Sequence, residues 1–321
     1  MTSDKQTTED QLSHTTKIIG RLMVVLAAVM WSSSAFFVKA PIFSNNWPVE
    51  WRGLMMGFWR AVFACLILVT MVRRPSFSWK ILLMSGFFVV MNFTFLTAMV
   101  EIESAATIWL QNTAPVWVFL GSYFLFKEHV TRGDWLMLGF ASSGVAIILV
   151  SELTDTNASP YGISLAVISG LSYGCIVLSL RHLRGHDSAW LIFVNHFMTV
   201  LVFLPFVIWL GIVPRGNEWF YLAAFGMLQM GLPYLLFARS VRSISGHEAS
   251  MLVLLEPILV PLWVFLFWRH AADYQSPSPW TLLGGLLILT GLAFRFLGRS
   301  RLGKLSYANC VAERKCHETC E

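Results

Sequence analysis

Charge is scarce in this sequence. Only 13% of its 321 residues are Asp, Glu, Lys or Arg, against 56% hydrophobic, where a soluble chain carries about a quarter charged. Cysteine is sparse too. Cys65 and Cys175 lie in apolar runs, and Cys310, Cys316 and Cys320 fall near the C-terminus, so no spaced disulfide framework is present. Cys316-His317 with Cys310 and Cys320 matches no zinc spacing, and no metal or cofactor site is assigned. A phosphate-binding Gly-x-x-x-x-Gly-Lys-Ser/Thr loop is missing, as is any polar stretch between apolar runs long enough for a soluble ATP-binding domain. The apolar runs recur too often, and extend too far, for a soluble core. The chain therefore reads as an all-α polytopic membrane protein with the lipid bilayer as its solvent. Its net charge of +5 is better read loop by loop than as a nucleic-acid footprint.

The most informative run is Ala249 to Trp268, ASMLVLLEPILVPLWVFLFW. Its length can cross a hydrocarbon core of about 30 Å as a helix. Glu256 is its only ionisable side chain, followed by Pro257 and Pro261. A carboxylate in mid-bilayer is normally paired, protonated or facing a wet cavity. Each proline removes a backbone donor and bends the helix. Thr107 to Phe126 repeats the pattern, with Pro115 where the later run has Pro257.

The expected spans number ten: about 21–40, 53–72, 81–100, 105–126, 135–150, 162–180, 189–210, 219–241, 249–268 and 280–297. The first has a basic flank and small residues like a signal peptide, but its apolar stretch continues through Phe36 to Val38, so it is kept as a helix. Residues 1–19 read as a disordered cytoplasmic tail and 303–321 as a second cytoplasmic tail. With the N-terminus inside, eighteen of the 23 Lys and Arg fall on the cytoplasmic side and four outside, leaving Arg60 in mid-span. That asymmetry places both termini in the cytoplasm. An integral, multi-pass protein of the plasma or inner membrane is expected.

Shifting the chain by 142 residues lays Trp31-Ser32 on Tyr173-Gly174, Ala114-Pro115 on Glu256-Pro257, and Lys127 on Arg269. A further slip of three lays Trp135 on Trp280 and Gly139 on Gly284. Residues 20–151 and 160–298 thus form two five-helix repeats. An odd number of spans per repeat inverts the second copy, the arrangement of secondary transporters with a site between the repeats.

These features resemble the EamA-type members of the drug/metabolite transporter superfamily. The resemblance rests on the Leu-Glu-Pro-Ile stretch in the ninth span and on Trp31-Ser32 followed by Phe36 and Lys39. It also rests on Arg60 in the second span, and on Ala114-Pro115-Val116 leading to Lys127-Glu128. It implies export or exchange of a small solute such as an amino acid or related metabolite. The family commonly closes the ninth span with an acid, whereas the position matching Glu128 here is His270.

The candidate substrate-binding or coupling residues are Glu256, Arg60, Gln111, Asn112, Trp31, Asn92, His196 and Tyr234. Arg60 is a cation for an anionic substrate group, a partner for Glu256, or a structural donor to kinked-helix carbonyls. Gln111 and Asn112 contact substrate or make interhelical hydrogen bonds. His196 is the mid-span group whose charge changes near neutral pH. Trp31, Trp109 and Trp117 form a cavity wall or belong to the interfacial aromatic belts. Pro115, Pro257 and Pro261 supply kinks. Gly53-x-x-x-Gly57 and Gly170-x-x-x-Gly174 permit close helix approach inside one chain or between two, so monomer and homodimer both stand. Glu256 either carries a coupling proton or ties down carbonyls freed by the prolines. The reading is a secondary-active transporter and not an enzyme. Its rival is an intramembrane transferase, which would need clustered His, Asp or Cys near one membrane face.

Overall fold

The computed structural model describes residues 2–294 except 45, 128–131, 155–158, 184, 241–242, 245–248, 250–251 and 272–273. The described residues are helical, without strands. In chain order the helices are α1 (Thr2–Ser32), α2 (Ser34–Val38), α3 (Val49–Leu68), α4 (Trp79–Glu101), α5 (Ser104–Gln111), α6 (Ala114–Phe126) and α7 (Arg132–Thr154). There follow α8 (Pro160–His182), α9 (Ser188–Leu210), α10 (Glu218–Gly226), a π-turn at Met227–Gly231, α11 (Leu232–Ser240), α12 (Leu255–Trp268) and α13 (Pro279–Phe294).

Seven helical stretches among the described residues are long and apolar enough to cross a bilayer unaided. Ten were expected, and the three that fall short are the fourth, ninth and tenth. The fourth divides at Asn112-Thr113, just ahead of Pro115. Proline there cannot bond the Gln111 carbonyl, and side chains take over the loosened turn. Asn112 Nδ2 donates to the Ile108 carbonyl at 2.9 Å, and Thr113 Oγ1 to that of Leu110 at 2.6 Å. In the ninth, the continuous helix Leu255–Trp268 has 14 residues, with Glu256 in its first turn and Pro261 inside it. The tenth is the short apolar helix Pro279–Phe294.

The N-terminal segment departs from expectation more simply. Residues 2–19, expected to be disordered, continue α1 outward as helix, and Thr15 to Ile19 are exposed. A lack of apolar periodicity argues against burial but not against helix, and no Pro or Gly interrupts the segment before Gly20. The 303–321 tail, with Cys310, Cys316 and Cys320, lies outside the described residues.

Among the seven long spans described, α4 is the most buried, with 67% of its apolar stretch inside the protein against 28% for α7. It packs on α3, α8 and α9. Glycine sets the closest approaches. A Cβ on Gly53 would lie 2.6 Å from the Thr97 backbone of α4, and one on Gly170 2.6 Å from the Leu110 carbonyl at the α5–α6 break. Gly174 presses likewise on Trp117. Both glycine stripes are therefore used for packing within the chain. α7 and α13 cross where Gly144 meets Gly284, each facing the other's carbonyl oxygen.

Packing between the halves recurs with the halves exchanged. α1 on α11 answers α8 on α4, α12 on α1 answers α5 and α6 on α8, and α3 meets its counterpart α9 directly.

Candidate functional site

Helix irregularities converge beside α3. Pro233 has no N–H to offer the turn before it, and the backbone widens into the π-turn Met227–Gly231 between α10 and α11. Gly226 and Gly231 bring this turn onto α3, where a Cβ on Gly226 would lie 2.6 Å from the Arg60 carbonyl. The π-turn's Gln229 reaches α1, donating from Nε2 to the Trp31 carbonyl at 3.0 Å. α1 is itself interrupted here, because Ser32 and Ser33 hydroxyls bond back to the carbonyls of Val29 and Met30.

Arg60 is 1% exposed. Its guanidinium donates to Asn92 Oδ1 of α4 and lies over the Phe225 ring, 5.0 Å from the centroid. Its Nε and Nη1 are buried without partners, as is Asn92 Nδ2. Glu256 is half-buried and accepts no hydrogen bond. No ion pair joins it to Arg60; the expected alternative of an Arg60–Glu256 partnership gives way to the Arg60–Asn92 bond. Tyr234 lies within electrostatic range of both. Trp31 packs edge-on against Tyr234 at 5.2 Å and also touches Phe237.

Five of the eight candidate residues thus belong to one neighbourhood: Glu256, Tyr234, Arg60, Asn92 and Trp31. His196 lies in electrostatic range of Arg60, but it is fully buried edge-on to Phe88, with neither ring nitrogen bonded. Gln111 and Asn112 stand at the α5–α6 break, where Asn112 serves its own helix. The three tryptophans do not form one wall. Trp109 is buried against Gly285 of α13, and Trp117 donates to Thr113 Oγ1 at 3.1 Å.

Sequence reasoning passed over Tyr173, which lies in electrostatic range of Tyr234 and Glu256 and is 41% exposed. The signal was available, because the 142-residue shift lays Trp31 on Tyr173. An aromatic band was also missed. Trp263 Nε1 donates to Ser32 Oγ at 2.8 Å, Trp268 Nε1 to the Phe36 carbonyl at 2.8 Å, and Phe36 stacks on Trp268. These bonds fasten α12 to the bend between α1 and α2. At the end of α12, Arg269 Nε donates to His270 Nε2 at 3.0 Å. Glu128 lies outside the described residues.

The EamA-like transporter family model matches twice, over residues 18–150 and 160–297. The chain belongs to the EamA-like transporter family. An uncharacterized transporter of Archaeoglobus fulgidus is 26% identical over 276 residues, 85% of this chain and 94% of the relative. The uncharacterized transporter YxxF of Bacillus subtilis is 27% identical over 235 residues, 71% of each chain. A protein of known crystal structure shares the fold, with a TM-score of 0.57 at 18% identity, covering 88% of this chain and 98% of its own. The EamA-like resemblance read from the Trp31, Arg60, Pro115 and Glu256 regions therefore holds, and it covers two repeats of a membrane transporter.

Proposed function

We propose that this EamA-like protein is a secondary-active transporter that exports or exchanges a small solute by alternating access. Its ten crossings would form two inverted five-helix repeats with both termini cytoplasmic, the interrupted fourth helix and the shorter α12 and α13 completing the count beside the seven long helices. Non-helical backbone at membrane depth is tolerated where it lines a cavity or is buried in protein.

The observation that carries this reading is Glu256. It is a carboxylate in the first turn of a helix that holds Pro257 and Pro261, without a hydrogen bond, in electrostatic range of Tyr173 and Tyr234 of its own repeat, where Tyr234 packs on Trp31 and lies in range of Arg60 of the other. Solute would sit among Glu256, Tyr234, Tyr173 and Trp31, with Arg60 and Asn92 behind them and Gln111 and Asn112 at the symmetry-related break. A carboxylate that meets each side of the membrane in turn can take a proton on one side and release it on the other. The alternative role for Glu256, tying down carbonyls freed by Pro257 and Pro261, needs a protonated carboxyl donating to one of them, and Glu256 makes no such bond here.

The test is Glu256→Gln in proteoliposomes, with a solute first identified by comparing metabolites of cells with and without the protein. The variant should insert and exchange solute at rates near wild type but lose accumulation driven by a pH gradient at least tenfold. Gradient-driven uptake at wild-type rates would remove the coupling role. Chemical conversion of the solute, assayed in the same vesicles, would instead support the transferase reading.

A further inference from the structure

Away from the Glu256 neighbourhood, a cavity of about 300 Å³ opens where the C-terminal ends of α4 and α7 meet the segment leading into α13. Glu101, Glu103, Glu152, Gln275 and Trp280 line it. A bond of 3.0 Å between the Ser151 and Ser278 hydroxyls ties α7 to that segment at the cavity wall. This volume is at the lower end for small-molecule sites.

Glu103 makes the cavity more than an acidic patch. It is 8% exposed, and Oε1 caps α5 by accepting from the Ala105 N–H at 2.7 Å. Oε2 is buried with no partner. A buried carboxylate oxygen with nothing to accept is costly, and a donor arriving in the cavity would relieve it. The converging ends of α4 and α7 add the negative poles of two helices. This end of α4 already holds one ammonium: Lys39 Nζ donates to the carbonyls of Val100 at 3.3 Å and Ile102 at 3.0 Å. Metal chelation fits poorly, because among the described residues no three carboxylate, imidazole or thiol groups come close enough to hold an ion. The acids are spread around a space sized for an organic molecule, with the Trp280 indole at its rim.

We infer that this cavity binds a small organic cation through its ammonium groups, with the Glu103 carboxylate as the principal acceptor and Glu101 and Glu152 completing the charge. As a binding site it stands without the transport reading. As the mouth at which a transported amine is first captured, it rests on that reading and narrows the substrate class to amine-bearing solutes.

Burial pushes the Glu103 carboxyl up to about 7, Glu152 adding to the shift while the Ala105 and Ala106 amides and Lys39 oppose it. Tyr274 lies in electrostatic range of the same carboxylate. Binding should accordingly tighten as pH rises through about 7 and Glu103 ionises.

The experiment is equilibrium titration of the purified, detergent-solubilised full chain with putrescine, followed by calorimetry and tryptophan fluorescence. Saturable binding is expected, tighter at pH 8 than at pH 6, with none for the uncharged 1,4-butanediol. Glu103→Gln keeps an acceptor for the Ala105 cap but not the charge, and should weaken binding at least tenfold and flatten its pH dependence. If that variant does not purify as a monodisperse species, Glu101→Gln should weaken binding several-fold in its place. Competition by phosphatidylethanolamine nanodiscs, and not by phosphatidylglycerol ones, would assign the ammonium to a lipid headgroup with the same site chemistry intact. Absence of saturable binding, unchanged binding in a folded Glu103→Gln, or loss of binding in Glu256→Gln would overturn the inference. None of these outcomes depends on flux, so failure here is separable from failure of the transport reading.

Discussion

Glu218 and Glu103 are both hidden, at 1% and 8% exposure, yet they are used in opposite ways. At Glu218, the first residue of α10, both oxygens are taken. Oε1 accepts from Asn46 Nδ2 at 2.9 Å, and Oε2 from Trp47 Nε1 at 3.1 Å and the Arg215 N–H at 2.8 Å. Glu103 spends one oxygen on a helix cap and leaves the other idle. Glu256, half-buried, has neither oxygen bonded. Burial of an acid in a membrane protein is therefore a poor marker of a site by itself. The informative quantity is acceptor capacity left over after the fold has taken its share. Glu218 clamps Asn46 and Trp47 onto the start of α10; Glu103 and Glu256 keep capacity for something that arrives.

The comparison breaks most readily at Glu218. Glu218→Ala strands the buried Trp47 indole N–H and the Arg215 amide together, and hydrogen bonds to a charged acceptor are worth about 1.5–3 kcal/mol each. A loss of about 3 kcal/mol is expected, read as a drop of several degrees in the thermal unfolding midpoint in detergent. A variant melting with the wild type would mean that saturation at Glu218 does not mark structure.

Asp187 is the same device at the start of α9, in a more open setting. Oδ2 accepts from the Arg73 and Arg74 N–H groups at 2.8 and 3.1 Å, and Oδ1 from the Ala189 N–H at 3.0 Å. One carboxylate thus caps α9 and pins the α3–α4 connection to it. Partial burial raises its pKa, but the backbone N–H groups of Arg73, Arg74, Ala189 and Trp190 outweigh it and hold the carboxyl below its ordinary value. A depressed folded-state pKa gives stability that is present above the unfolded value, about 3.9, and lost as pH falls below it. Asp187→Ala should cost about 1 kcal/mol at pH 7, the usual worth of an N-cap. The gap between variant and wild type should narrow toward pH 3. A gap independent of pH would place the effect in packing.

These distinctions were only partly legible in the sequence. The apolar runs located the helices to within a few residues, and Pro115 marked the break at Asn112-Thr113. Arg60, isolated in an apolar run, was legible as a polar centre, though its partner Asn92 sits 32 positions away in a run with no other sign of it. The count of uninterrupted spans was not legible, because hydropathy registers apolar length and not whether the helix stays continuous through Asn112-Thr113 or Leu254. Residues 2–19 failed for a related reason: polarity removes the burial signal without removing helix propensity. Glu103 gave no signal, because Glu101 and Glu103 between two spans read as solvated loop residues. Only the convergence of α4, α7 and the approach to α13 buries it. Tyr173 was in view once the repeats were aligned, and was passed over because a tyrosine in an apolar run looks like packing.

The smallest expected effect on folding is at Glu256, and it is the sharpest form of the comparison. Glu256→Gln keeps length and acceptor geometry while removing the charge. If no hydrogen bond of the fold ends on this carboxylate, replacement removes no structural contact, and the unfolding midpoint should stay within about a degree of wild type. A slight gain is consistent too, since an uncharged amide costs less than a carboxylate where water is scarce. The contrast with Glu218→Ala, several degrees lower, would then separate an acid that builds the fold from one that the fold carries. A drop at Glu256→Gln comparable to that at Glu218 would mean that the carboxylate holds structure after all, most directly through the α12 backbone around Pro257 and Pro261. Changes in its flux could then no longer be credited to coupling.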